Sequence, residues 1–167
     1  MSDLLPSDLL AAGARCGQLL RERGETVAVG EGSCGGLVST ALLAVPGASA
    51  YYLGGAVIYT RNALNGFIAG KVDRPPKLRG ASEPWALHMA RCAREHLDAT
   101  WGIGEGGAAG PGGNPYGDPS GHAWLAVSGP SEKAINILTG NEDRVENMVA
   151  FATAAIELLT ETIKRQQ

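Results

Sequence analysis

The sequence predicts an α/β fold, a three-layer α/β/α sandwich built around a mixed, mostly parallel sheet. Three observations carry this expectation. Short β-branched runs alternate with stretches of helical periodicity. A glycine-rich turn joins the first such strand directly to a helix, and two alternating runs near the carboxyl end are separated by little more than a Gly-Pro break. Strands that alternate with helices call for a parallel sheet covered on both faces, and the late hairpin makes that sheet mixed.

Each element follows from local chemistry. Ser7 and Asp8 are candidate caps for a first helix running to Arg23, with Leu9, Leu10, Ala14, Gly17 and Leu20 on its apolar stripe and Gly24 at its end. Thr26 to Gly30 reads as a buried strand, and EGSCGG leads from it into a helix, LVSTALLAV, that Pro46-Gly47 stops. Tyr52 to Thr60 is the second strand, Arg61 to Ala69 a short helix, and Gly70 to Gly80 a loop holding Pro75-Pro76. Ser82 caps a helix from Glu83 to Asp98, where Pro84 is tolerated in the first turn. Thr100 to Gly104 is a third strand that empties into GEGGAAGPGGNPYGDPSG, too rich in Gly and Pro for a regular element. His122 to Ser128 and Lys133 to Leu138 form the hairpin, and Glu142 to Lys164 a long final helix with Val145, Met148, Val149, Ala152 and Ile156 on one face.

Composition narrows the function classes. One domain over residues 1–167 is expected, long enough to bury a core without metals or disulfides. Net charge is −3 with no Lys/Arg cluster, which argues against a nucleic-acid groove. Apolar runs fall well short of the ~20 residues a membrane span needs. Three isolated cysteines (Cys16, Cys34 and Cys92) and an amino terminus without a basic start or signal core point to a reducing, cytoplasmic setting. An apolar flank on one helix leaves room for a homo-oligomer interface. Glycine supplies 24 of the 167 residues, about twice the average ~7%. These glycines cluster in a few segments, so they act as backbone devices.

Two of those segments carry the candidate chemistry. In open α/β sheets a ligand sits beyond the carboxyl ends of strands. The EGSCGG turn occupies such a place: Gly35 and Gly36 would let the backbone approach an anion, and Ser33 and Cys34 would add side-chain donors. Taken alone, the turn could equally be a tight turn against the sheet. The stretch from Gly106 to Gly113 also follows a strand, and two such segments at strand ends favour a shared pocket for a small phosphate-bearing ligand. Cys34 at a helix start is either a reactive thiolate or a small core residue. His88, Cys92 and His96 recur every four residues, but Trp85, Met89, Ala93 and Leu97 share their flank, so core packing is preferred and no metal or other cofactor is expected. His122 enters a strand from the glycine segment and either lines the pocket or caps the strand.

These motifs resemble the C-terminal CinA (nicotinamide-nucleotide amidase) family. Gly30-Glu31-Gly32-Ser33-Cys34-Gly35-Gly36 is similar to its A-E-S-C-T-G-G signature, and VPGASAYYLGGAVIYT (Val45 to Thr60) to its V-P-G-S-S and G-G-x-V-x-Y segment. Ser82-Glu83 with Met89-Ala90 resembles its S-E…M-A helix, and Gly107 to Gly113 its G-I-A-G-P-x-G loop. The match runs in order from Thr26 to Val127. The resemblance implies an amidohydrolase that deamidates nicotinamide mononucleotide, with the signature serine as nucleophile and a lysine five residues after the conserved tyrosine. Here those positions hold Gly32 and Leu64, the tyrosine is Tyr59, and the second loop's threonine is Gly106. Two expectations result. Either Ser33 or Cys34, beside Tyr59, substitutes as nucleophile, with Lys71 as a candidate base, or the chain is a non-catalytic relative that binds a nucleotide-like ligand. The ligand residues implied are Glu31, Gly32, Gly35, Gly36, Arg61, Gly107, Ala109, Gly110, Gly112, Gly113 and His122.

Overall fold

The computed structural model describes residues 4–68 and 70–166. Its elements run α1 (Ser7–Arg23), β1 (Val27–Glu31), α2 (Leu37–Leu43), β2 (Tyr52–Val57), α3 (Arg61–Phe67), α4 (Glu83–Leu97), β3 (Trp101–Ala108), β4 (His122–Ser128), β5 (Lys133–Leu138) and α5 (Arg144–Lys164). The five strands form one sheet in the order β2-β1-β3-β4-β5. β1 is parallel to both β2 and β3, while β4 is antiparallel to β3 and to β5. Four of the five strands therefore share one direction and β4 alone runs against them, as the expected mixed sheet requires.

Side-chain alternation sorts the helices onto two faces. Val27 and Val29 of β1, Trp101 and Ile103 of β3, and Ala123, Leu125 and Val127 of β4 pack with α1, α2 and α5 in the larger core. On the opposite face, α4 lies against Ala28 and Ala126, and the Met89–Cys92 stretch of α4 meets Ile58, Leu64 and Ile68. The result is the three-layer sandwich.

The third strand is longer than expected, and the reason lies in its glycines. Trp101, Ile103 and Glu105 alternate with Gly102, Gly104 and Gly106, a period-two pattern. A Cβ on Gly102 would overlap the carbonyl oxygen of Ala90, and one on Gly104 that of Ala86. Glycine at alternate positions lets the α4 backbone lie directly on β3. The segment Glu105–Ala108 is thus strand, paired through Ala108↔His122, and the irregular loop begins at Ala109.

Smaller differences also have local causes. α1 starts behind Pro6 with no side-chain cap, so Ser7 and Asp8 do not take the capping role expected of them. α5 begins at Arg144 because Asp143 is the cap, its carboxylate accepting from the Glu146 amide at 2.9 Å. Ser82 caps α4 through the Trp85 amide as expected. The residue expected to end α3, Ala69, lies outside the described residues. No helix among the described residues is long and apolar enough to cross a membrane.

Candidate functional site

The strand order fixes where a ligand can sit. β1 connects through α2 to β2 on one side, and the chain then returns across β1 through α3 and α4 to β3 on the other. Consecutive connections leave on opposite faces, so a crevice opens beyond the carboxyl ends of β1 and β3. The turn Gly32–Gly36 and the loop from Ala109 both arise there. They share one cleft of about 240 Å³, lined by Ser33, Tyr59, Gly107 to Pro115 and Arg144.

Two buried carboxylates organise the first turn. Glu31, at the end of β1, is fully buried and accepts hydrogen bonds from the amides of Gly36 (3.0 Å), Val38 (3.0 Å) and Ser39 (2.9 Å) and from the Ser39 hydroxyl (2.6 Å). Glu105, at the fifth residue of β3, is also fully buried and accepts from the amides of Gly32 (3.0 Å) and Cys34 (2.9 Å) and from the Ser33 hydroxyl. The expectation that this turn points its amides outward at an anion is therefore corrected. The amides of Gly32, Cys34, Gly36 and Val38 are already matched by these two acidic side chains, and that of Gly35 by the Gly32 carbonyl. Glu31 and Gly36 serve the turn itself, and Gly35 is exposed outside the cleft lining. Gly32 is buried, with room above it limited: a Cβ there would stand 3.1 Å from the Glu105 carbonyl oxygen.

Burial decides the character of the other turn residues. Desolvation raises the Glu105 carboxyl above its ordinary 4.5, against the opposing pull of its bonds to Ser33, Cys34 and Gly32. Cys34 is fully buried in the larger core, and desolvation, then the nearby Glu105 and Glu31 charges, push its thiol well above 9.0. The reactive-thiolate reading of Cys34 is thereby corrected: it is a core thiol held neutral. Ser33, by contrast, reaches the cleft while remaining 7% exposed.

The second loop supplies backbone. Gly110 and Gly112 hold φ of +103° and +87°, a region where a Cβ is strained, so glycine shapes the cleft wall here. The amides of Gly110, Gly112 and Gly113 find no internal acceptor among the described residues. Asp118 braces the far side of the loop, accepting from Arg79 (2.8 Å) and Asn114 (2.8 Å), contacts that hold its carboxyl below 3.8.

One functional candidate has no counterpart in the sequence reading. Arg144, the first residue of α5, donates to the Gly110 carbonyl (2.6 Å) and to the Tyr59 hydroxyl (3.1 Å). It ties β2's exit, the glycine loop and α5 together, and it is the one cationic side chain lining this cleft among the described residues. Its only sequence signal is its place directly after the Asp143 cap. Other expected residues stand elsewhere. Arg61 begins α3 and is exposed outside the cleft lining. His122 starts β4, and its Nε2 accepts from the Asn136 side-chain amide (2.9 Å), which pins it to the hairpin. Lys71 donates to the Glu95 carbonyl (3.4 Å) in the last turn of α4, and Leu64 is buried against Ile58 and Met89.

A profile of the CinA C-terminal domain matches residues 11–163. The chain belongs to the CinA C-terminal domain family. CinA-like proteins of Prochlorococcus marinus (strain MIT 9313) and Salinibacter ruber are 42% identical over 67% of this chain and 35% identical over 96% of it. The matches cover 26% and 39% of those relatives, so this CinA C-terminal domain spans well under half their length. The crystal structure of competence/damage inducible protein CihA from Agrobacterium tumefaciens superposes with a TM-score of 0.87 at 28% identity, covering 98% of this chain and 99% of that one. A Klebsiella pneumoniae competence damage-inducible protein matches the fold equally well at 22% identity.

Proposed function

We propose that this CinA C-terminal domain binds a small phosphate-bearing ligand of the pyridine-nucleotide class in the Ser33–Gly113–Arg144 cleft, and that it does not run the serine–lysine amide hydrolysis implied by the family resemblance. The observation that carries the binding reading is the cleft itself: one cation, Arg144, stands beside loop amides without internal acceptors, so an anion gains charge-assisted and backbone hydrogen bonds together. At about 240 Å³ the cleft is smaller than typical ligand pockets (about 300–1,000 Å³), suited to one end of a nucleotide with the rest reaching solvent.

The chemical half of the reading rests on Gly32 and Leu64. A hydrogen atom replaces the nucleophile's side chain, and a buried leucine replaces the base. Loss of a covalent nucleophile costs roughly 10⁴–10⁶ in rate, so the same mechanism does not survive both changes. Titration calorimetry with nicotinamide mononucleotide, run beside an ammonia-release assay, tests both halves. Saturable binding that weakens in Arg144→Gln, with no ammonia above the no-protein control, is the expected result. Ammonia release comparable to a working amidase, or absence of binding, would remove the proposal.

A further inference from the structure

The Ser33–Glu105 pair has a property that ligand binding does not use. Ser33 lines the cleft, and its hydroxyl meets a carboxylate that is fully buried, pairs with no cation among the described residues and is fixed on both oxygens. One oxygen, Oε2, accepts from the Gly32 and Cys34 amides, which orient the group. The other, Oε1, accepts the Ser33 hydroxyl. A nucleophile in hydrogen-bond contact with a base, and the base held by a third set of groups, is the arrangement that activates a serine.

From this geometry we infer that Ser33 and Glu105 form an acyl-transfer dyad, with Ser33 as nucleophile and Glu105 as its proton acceptor, acting on small carboxylic esters. The inference deepens the reading of the same cleft and rests on it only for the location of the substrate. In the first step Ser33 Oγ bonds to the ester carbonyl carbon and its proton passes to Glu105 Oε1. The carbonyl π electrons move onto oxygen, for which the acceptor-free amides of Gly110, Gly112 and Gly113 in the cleft wall are the candidate donors. Collapse of that intermediate breaks the bond to the alcohol oxygen, and the Glu105 proton goes to the departing alkoxide. Water then attacks the acylated serine, giving its proton to Glu105, and hydrolysis releases the acid and restores the Ser33 hydroxyl.

Two features choose the ester over the amide. The alcohol oxygen of an ester leaves the tetrahedral intermediate readily, whereas an amide nitrogen must be protonated before it departs, so a carboxyl partner suffices for the ester. The lysine-type base that an amide-cleaving relative would use is absent, since its position holds the buried Leu64. Desolvation of Glu105 makes it a stronger base than an ordinary carboxylate, because a proton on it relieves a buried charge.

The test uses the intact chain and p-nitrophenyl acetate as the probe, with p-nitrophenolate release followed by absorbance and the protein by intact and peptide mass. The expected result is a burst of p-nitrophenolate with an acetyl group on the peptide carrying Ser33, absent in Ser33→Ala. Glu105→Gln is expected to slow acylation by about 10²–10⁴ while keeping the wild-type circular dichroism, with partial return in Glu105→Asp. The wild-type rate is expected to rise with pH through a midpoint above the usual glutamate range. Acetylation elsewhere only, no burst, or an unchanged rate in a folded Glu105→Gln would overturn the inference. Should Glu105→Gln fail to fold, the Ser33 peptide map and the wild-type pH profile decide the matter alone. Nucleotide binding, read by calorimetry, stands or falls separately.

Discussion

Removing the Glu105 side chain should cost this domain a large share of its stability, whereas making it an amide should cost little. In Glu105→Ala three buried donors lose their acceptor: the Gly32 amide, the Cys34 amide and the Ser33 hydroxyl. An unmatched buried donor costs about 1–3 kcal/mol, so the three together cost about 3–9 kcal/mol before any cavity is counted. Domains of this size are stable by about 5–15 kcal/mol, so the alanine variant should be close to unfolding at room temperature. Glutamine keeps one oxygen for the two amides and turns its NH₂ toward Ser33 Oγ, which can accept; about 1 kcal/mol is expected. Urea unfolding followed by circular dichroism reads both values. The pH dependence gives an independent check. The folded carboxyl titrates above 4.5, so between 4.5 and that raised value the folded state holds more protons than the unfolded one. Stability is therefore greatest below 4.5 and is lost as pH rises through the folded value. The advantage of wild type over Glu105→Gln should shrink across that window. A Glu105→Ala protein within about 1 kcal/mol of wild type would refute the assignment of this carboxylate as the acceptor that holds the turn.

Further outcomes follow from the same contacts. Gly104→Ala drives a Cβ into the Ala86 carbonyl and should lower stability by about 1–3 kcal/mol or more in thermal unfolding, while Gly112→Ala, with open space around it but φ of +87°, should cost less. Arg144→Gln should weaken binding of nicotinamide mononucleotide about 10- to 150-fold, the loss of one charge-assisted hydrogen bond of about 1.5–3 kcal/mol, with little change in unfolding midpoint. Iodoacetamide should leave Cys34 unlabelled in the folded protein at neutral pH, since the thiol is buried and kept protonated; rapid labelling would contradict that placement. The edge strand β2 carries no charge and exposes Leu53 and Val57, so a homo-oligomer, where one forms, is expected to use this edge rather than the helix flank suggested by the sequence. Light scattering of Val57→Lys should then report a smaller mass than wild type, and identical masses would count against that surface.

How much of this was legible in the sequence varies with the range of the interactions. The hairpin of β4 and β5 was read to the residue because alternation and the intervening break are local signals. The sequence reading ends β3 at Gly104 because glycine marks loops, whereas the period-two placement of glycine against Trp101, Ile103 and Glu105 reflects the close approach of α4. The two clefted segments were located correctly at neighbouring strand ends. Their chemistry was not, because the acceptors that fill the first turn come from far away: Glu105 lies 73 positions from Gly32. Arg144 was missed for the same reason, its partner Tyr59 being 85 positions distant.

The claim at the centre of this account is that an anion enters the cleft between Ser33, the Gly110–Gly113 loop and Arg144. An amide-resolved ¹⁵N NMR titration with nicotinamide mononucleotide examines it most directly. The account predicts saturable shifts concentrated at Ser33 and at Gly110, Gly112 and Gly113, with loss of those shifts in Arg144→Gln. Shifts gathered on the opposite edge of the sheet, or none at millimolar ligand, would contradict it.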